Sequence, residues 1–289
     1  MDMLLLLAIA LLALLIGTYT DLKTREVPDW LNFTLIASGL GIRLIQTAAL
    51  GDSNYIYEGL FGFGLAFIVA NGMYYSGQWG GGDAKMLMGL GAVLGFDLSF
   101  EGFFSGFLIN ILFVGAAYGL LWSSYLALKN LKAFRGSFNR IASQKDFLYA
   151  RIAGLVACTI CVVLFFVVSD RIEKFLITIV AVLIMAMLYL WVFVRAVEQS
   201  CMLRYIKPTQ LTEGDWIAED VIVQKKRIAG PKDLGVTKEQ ITQLQSIYKK
   251  GKLKKVLVKD GIPFVPSFLI AFFIVLMYGN LIIAVLRIS

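Results

Sequence analysis

Asp21 and Asp83 are the side chains of this chain best suited to chemistry. Each sits where an apolar stretch meets a short Gly- or Pro-marked segment, in Thr20-Asp21-Leu22-Lys23-Thr24-Arg25-Glu26-Val27-Pro28-Asp29-Trp30 and in Gly80-Gly81-Gly82-Asp83-Ala84-Lys85. Carboxylates are costly at a membrane boundary, and acids in such places mark function by default. Two of them on helices that pack side by side can share one proton and activate a water for hydrolysis of an amide. Taken singly, each has a plainer role. Asp21 can be hydrated at a helix end or paired with Lys23 or Arg25. Asp83 can cap a helix starting at Ala84, whose positive end suits a carboxylate. Gly80-Gly81-Gly82 favours the chemical role, because residues without Cβ let an extended backbone come alongside, although a flexible loop uses the same residues.

The chain has no histidine, so acid–base work falls to carboxylates, Lys, Tyr or Cys. Cys158-Thr159-Ile160-Cys161 has CxxC spacing but lies in an apolar run without a second pair. These thiols, with Cys201, are expected to act as small apolar groups, with no metal and no cofactor. Of 289 residues, 58% are hydrophobic and 16% charged, against about 25% charged in a soluble domain. With a mean hydropathy of +0.76, the expectation is an all-α polytopic membrane protein. The net charge of +7 then reads as basic cytoplasmic loops against anionic headgroups, not as a nucleic-acid surface. The run from Met3 to Tyr19 lacks a preceding cationic region and a following cleavage site, so it is read as a retained first helix.

Apolar runs at 3–20, 30–50, 56–75, 84–98, 102–128, 149–169, 172–195 and 264–286 predict about eight spans, each near the roughly 20 residues a bilayer requires. Basic residues are concentrated in alternate loops (Lys23 and Arg25, then Lys129, Lys132, Arg135, Arg140 and Lys145, then 196–263), and the others carry Asp52 and Glu58, then Asp97 and Glu101, then Asp170, Arg171 and Glu173. By the positive-inside rule both termini lie outside and both aspartates at the cytoplasmic face of the cell membrane. The expected division is 1–128, helices carrying both aspartates; 129–198, a cytoplasmic loop and further helices; 199–262, a small cytoplasmic α+β domain; and 263–289, a last helix. In the third segment Trp216–Val223 and Leu253–Val258 have strand character, and Thr237 with Gln240 predicts a helix N-terminus. Its Lys249–Lys255 stretch reads as a solvated or headgroup-facing surface.

The two aspartate motifs together resemble those of the type IV prepilin peptidases and archaeal preflagellin peptidases, membrane aspartic proteases of the GxGD kind. Thr20–Leu31 is similar to the first-aspartate motif, an Asp followed by a polar link to Pro and then Asn or Asp. Gly80–Met86 is similar to Gly-x-Gly-Asp-x-Lys, and Gly261-Ile262-Pro263-Phe264 to the approach to a late helix. The resemblance implies a peptidase that removes a short basic leader from a membrane-anchored pilin- or flagellin-like precursor or another surface subunit. It implies Asp21 and Asp83 as the catalytic pair, and Gly80, Gly82 and Lys85 as the active-site loop. Lys85 is expected to hold Asp83 ionised, to bind substrate or lipid phosphate, or to anchor the cytoplasmic face. Asp29, at a position where the family has Asn, is set outside the catalytic set; with Glu26 and the acids of 213–220 it is expected to help bind the leader. The 21–29 loop is too short for the CxxC zinc loop of bacterial members, which favours the archaeal branch. Two alternatives stand beside this: a presenilin-type protease, and a proton-coupled transporter using Asp21 and Asp83 as a relay.

Overall fold

Pro28 and four glycines, Gly51, Gly77, Gly80 and Gly95, divide the first hundred residues into four helices. In a computed structural model, which describes residues 2–223 and 226–288, these are α1 (Asp2–Thr24), α2 (Asp29–Leu50), α3 (Asn54–Tyr75) and α4 (Gly81–Leu94). Pro28 is the N-cap of α2, and Gly51 closes it at φ +68° with its N–H on the Thr47 carbonyl, a conformation glycine adopts without a Cβ penalty. Met1, Gln224, Lys225 and Ser289, which fall within the predicted segments, lie outside the described residues. The chain then forms α5 (Phe103–Lys129), α6 (Leu131–Ala142), α7 (Lys145–Val167) and α8 (Arg171–Val197). After a π turn come β1 (Leu203–Ile206), β2 (Trp216–Ile217), β3 (Val221–Val223), β4 (Lys226–Ala229), α9 (Lys238–Lys249), β5 (Val256–Lys259), α10 (Val265–Tyr278) and α11 (Leu281–Ile288).

Among the described residues six helices are long and apolar enough to cross a membrane: α1, α2, α3, α5, α7 and α8 with its π turn. The other two predicted spans are shorter. α4 and α10 have 14 residues each, or ~21 Å at 1.5 Å per residue, below the ~30 Å of a hydrocarbon core. The last predicted span also breaks in two at Gly279 (φ +68°) and Asn280. Asn110 of α5 spans this break, donating to the Gly279 carbonyl and accepting from the Leu281 N–H. Residues 131–142, expected as loop, form a helix because Leu131, Phe134, Phe138 and Ile141 recur at helical spacing among the basic residues.

Two compact units emerge. One comprises residues 1–121, 206–256 and 261–289, the other 122–205 and 257–260. In the first, α4 is packed along α2 and α3, and α1 along α10, around a core that includes Leu14, Leu35, Met86, Leu90, Phe107, Phe268 and Phe272. Strands β3 and β4 pair antiparallel, with Val223 opposite Lys226 and a register shift between Val221 and Ile222. Strands β1 and β5, which lie mostly in the second unit, are hydrogen-bonded neighbours. α9 opens as its sequence predicts, with the Thr237 hydroxyl accepting the Gln240 N–H and the Gln240 side chain accepting the Thr237 N–H. In the second unit α6 and α7 pack on α8 around Ile141, Phe147, Val192 and Ala196. Its free Cys158 directs Sγ at the Ala181 carbonyl, 3.6 Å away on α8.

Candidate active site

Asp21 lies in the last turn of α1 and is only 4% exposed. That position opposes the negative C-terminal end of its own helix. A second helix compensates: the N-terminus of α10 faces Asp21, and the Val265 N–H donates to Asp21 Oδ2 at 2.9 Å. The Ile262-Pro263-Phe264 stretch delivers that N–H, since Pro266 in the first turn of α10 has none of its own to leave unpaired. Arg25 closes α1 in the left-handed region, at φ +61°, a conformation costing a non-glycine residue ~1–2 kcal/mol. Its N–H bonds the Asp21 carbonyl and its guanidinium donates to the Gly261 carbonyl. The segment ahead of α10 is thereby tied to the loop after Asp21.

Asp83 does not cap a helix beginning at Ala84. α4 starts three residues earlier, with Gly80 as N-cap, and Asp83 sits in its first turn with Oδ2 accepting the Gly80 N–H at 3.1 Å. This is the acidic half of a capping box, with the charge at the favourable end of the helix. α1 and α4 are packed together, and Asp21 is a charge whose field reaches Asp83. A Cβ on Gly17 of α1 would meet Met86 of α4 at 2.5 Å.

The three glycines divide their roles. A Cβ at Gly82 would stand 3.1 Å from Val27 Cβ and 3.2 Å from the Val27 nitrogen, so this glycine lets the segment after α1 close upon α4. At Gly80 and Gly81 the nearest atoms lie at 3.4 and 3.8 Å, which leaves ordinary space beside the backbone. Lys85 turns to Asp29, with Nζ 2.6 Å from Oδ1 and 5.6 Å from the centre of the Phe33 ring. The residue set outside the catalytic group is thus the partner of the motif lysine.

Three residues carry no sequence signal and join the site through the fold. Trp79, buried just before the glycines, packs on Phe264 and Phe268 at 5.5 and 5.3 Å between ring centres, which braces the start of α10 against the second motif. Asn32 of α2 is fully buried; its Nδ2 donates to the Gly82 carbonyl at 3.4 Å, and its Oδ1 has no partner among the described residues. Tyr118 of α5 lies within the fields of Asp21 and Arg25. Beside Trp79 an apolar cavity of about 140 Å³ is lined by Val69, Met73, Leu108, Ile109, Ile111 and Leu112.

Residues 8–123 match the family model described as the type IV leader peptidase family. Three relatives are named as peptidases. The preflagellin peptidase of Methanococcus maripaludis is 35% identical over 86 residues, 30% of this chain and 37% of the relative. That of Methanocaldococcus jannaschii is 34% identical over 83 residues, 29% and 35% of the two chains. The prepilin peptidase EppA of Methanothermobacter thermautotrophicus is 32% identical over 113 residues, 38% and 26%. The chain thus spans about a third of the length of the relatives it matches. No solved structure matches it.

Proposed function

We propose, from the premise that residues 8–123 belong to the type IV leader peptidase family, that this chain is a membrane aspartic endopeptidase using Asp21 and Asp83. It removes the short basic leader of a pilin- or flagellin-like precursor, cutting beside the precursor's apolar helix at the cytoplasmic face of the cell membrane. The observation that carries the reading is the pairing of a buried Asp21 with Asp83 on neighbouring helices, close enough for one charge to act on the other. In the reaction, the ionised carboxyl takes a proton from water as it attacks the scissile carbonyl. The protonated one donates to the carbonyl oxygen and then to the leaving nitrogen. Gly80 and Gly81 leave room for the substrate backbone, Gly82 closes the first motif on the second, and Lys85 with Asp29 marks the exposed rim. The concentration of Lys and Arg in the loops on the motif side supports the cytoplasmic assignment.

Replacement by asparagine separates this role from simple capping. An Asn at 21 keeps an oxygen for the Val265 N–H and an Asn at 83 keeps one for the Gly80 N–H, while neither can ionise. Asp21→Asn and Asp83→Asn are each expected to yield no shortened product from a preflagellin or prepilin precursor, at an unchanged melting temperature in detergent. Full cleavage by either variant would refute the dyad.

A further inference from the structure

Arg43 of α2 is 2% exposed, a charged side chain on a buried face that otherwise carries Leu31, Leu35, Gly39 and the uncharged polar Asn32 and Gln46. All five N–H donors of a guanidinium are engaged. Nε and Nη2 reach the Val93 carbonyl at 3.3 and 3.1 Å, and Nη2 the Leu94 carbonyl at 2.8 Å. Nη1 reaches the Tyr55 carbonyl and Glu58 Oε2, both at 3.1 Å. Val93 and Leu94 are the last two residues of α4, so the charge sits on the negative end of that helix and satisfies carbonyls no later turn can use. The room is made by glycines. A Cβ on Gly95 (φ +72°) would overlap the guanidinium, and one on Gly59 would come within 2.5 Å of Arg43 Cδ.

We propose, resting on the peptidase reading above, that Arg43 is a positioning residue: by gripping the C-terminal carbonyls of α4 it sets the axial height of that helix on α2, and so the level at which Asp83 meets Asp21. α4 needs such a stop. Its last carbonyls have no later turn to bond them, and a carbonyl buried without a donor costs about 1–3 kcal/mol. Its other polar links to α2 are the Lys85–Asp29 pair, which is exposed and of a kind that holds little, and the single long bond from Asn32 Nδ2 to the Gly82 carbonyl at 3.4 Å. Between them, Gly89 meets Leu35 and Gly39 meets Val93 at near-touching distances, so a slide of α4 would have to break close packing throughout.

The test reads helix register separately from activity. A Cβ at Gly89 would lie 3.1 Å from Leu35 Cβ, near the ~3.8 Å of a disulfide. Leu35→Cys with Gly89→Cys, in a full chain with Cys158, Cys161 and Cys201 changed to Ala, should therefore oxidise readily. Adding Arg43→Gln is expected to slow that oxidation at least tenfold. In the chain without the cysteine pair, Arg43→Gln should lower kcat on a preflagellin precursor at least tenfold with KM unchanged, and Arg43→Lys should fall between. Glu58→Gln, which leaves the four carbonyl bonds, should leave both readouts within about twofold. If Arg43→Gln fails to fold, Arg43→Gln with Glu58→Gln removes the stranded carboxylate and is measured instead. Oxidation at the parental rate in the Arg43 variant would overturn the proposal whatever the activity. Slowed oxidation in a protein whose parent cuts no precursor would preserve the register role and defeat the peptidase reading alone.

Discussion

A buried carboxylate at the wrong end of its own helix is a poor stabiliser, and Asp21 is one. Its Oδ2 accepts from the Val265 N–H, while a carboxylate has room for about four such bonds. Such a residue makes sense where its ionisation is used. The pair Lys85 and Asp29 is the opposite case, exposed on both sides. Lys85→Ala and Asp29→Asn are each expected to change unfolding stability by less than about 1 kcal/mol, measured by thermal unfolding in detergent; a larger loss would mean that the pair, and not Arg43, fixes α4 on α2. Both aspartates were legible in the sequence because charge stands out in an apolar chain beside Gly and Pro. Asn32, Tyr118 and Arg43 were not. Their importance depends on which neighbouring helix they meet, and spacing along one strand of sequence carries no such information. For the same reason the contact of Lys85 with Asp29 was not legible, the sequence leaving open a role beside Asp83, toward substrate or lipid phosphate, or as an anchor.

α4 is built for close approach. A Cβ at Gly91 would overlap the Gly62 carbonyl oxygen and stand 2.6 Å from Ala66 Cβ, so α3 and α4 touch through backbone, the small-residue packing that membrane helices favour. Gly91→Ala is accordingly expected to destabilise by about 1–3 kcal/mol, because a carbonyl cannot rotate aside as a side chain can. Gly72→Ala on α3, with open space around it, should be neutral or stabilising by up to ~1 kcal/mol. Equal effects of the two on thermal unfolding would contradict this account of the interface. Apolar run length located all the long helices, but it could not separate spans from the 14-residue α4 and α10, which are cut by Gly80, Gly95 and Gly279. Reading 129–148 by its charges alone concealed α6, whose apolar residues follow the helical period.

Residues 206–256 fold with the helices that carry both aspartates. Tyr74 Oη donates to the Leu234 carbonyl at 3.0 Å, and the Trp216 ring lies 3.0 Å from where a Cβ on Gly77 would be. Between Gly77 and the second motif, the Gln78 and Trp79 N–H groups both bond the Met73 carbonyl. Trp216→Ala should therefore speed hydrogen exchange at Gln78 and Trp79; unchanged protection there would show that the turn stands without its cover. Strands β2, β3 and β5 and the α9 cap of this segment were readable from local signals, whereas β1, β4 and the placement beside the α3–α4 turn depend on contacts distant in sequence. The whole arrangement matters to function only if the two carboxyls operate as one unit. A mutant cycle measures that directly: kcat on a preflagellin precursor for Asp21→Asn, Asp83→Asn and the double variant. A shared reaction predicts that each single change lowers kcat to the level of the double, whereas losses that multiply independently, or a single variant near the parental rate, would contradict it.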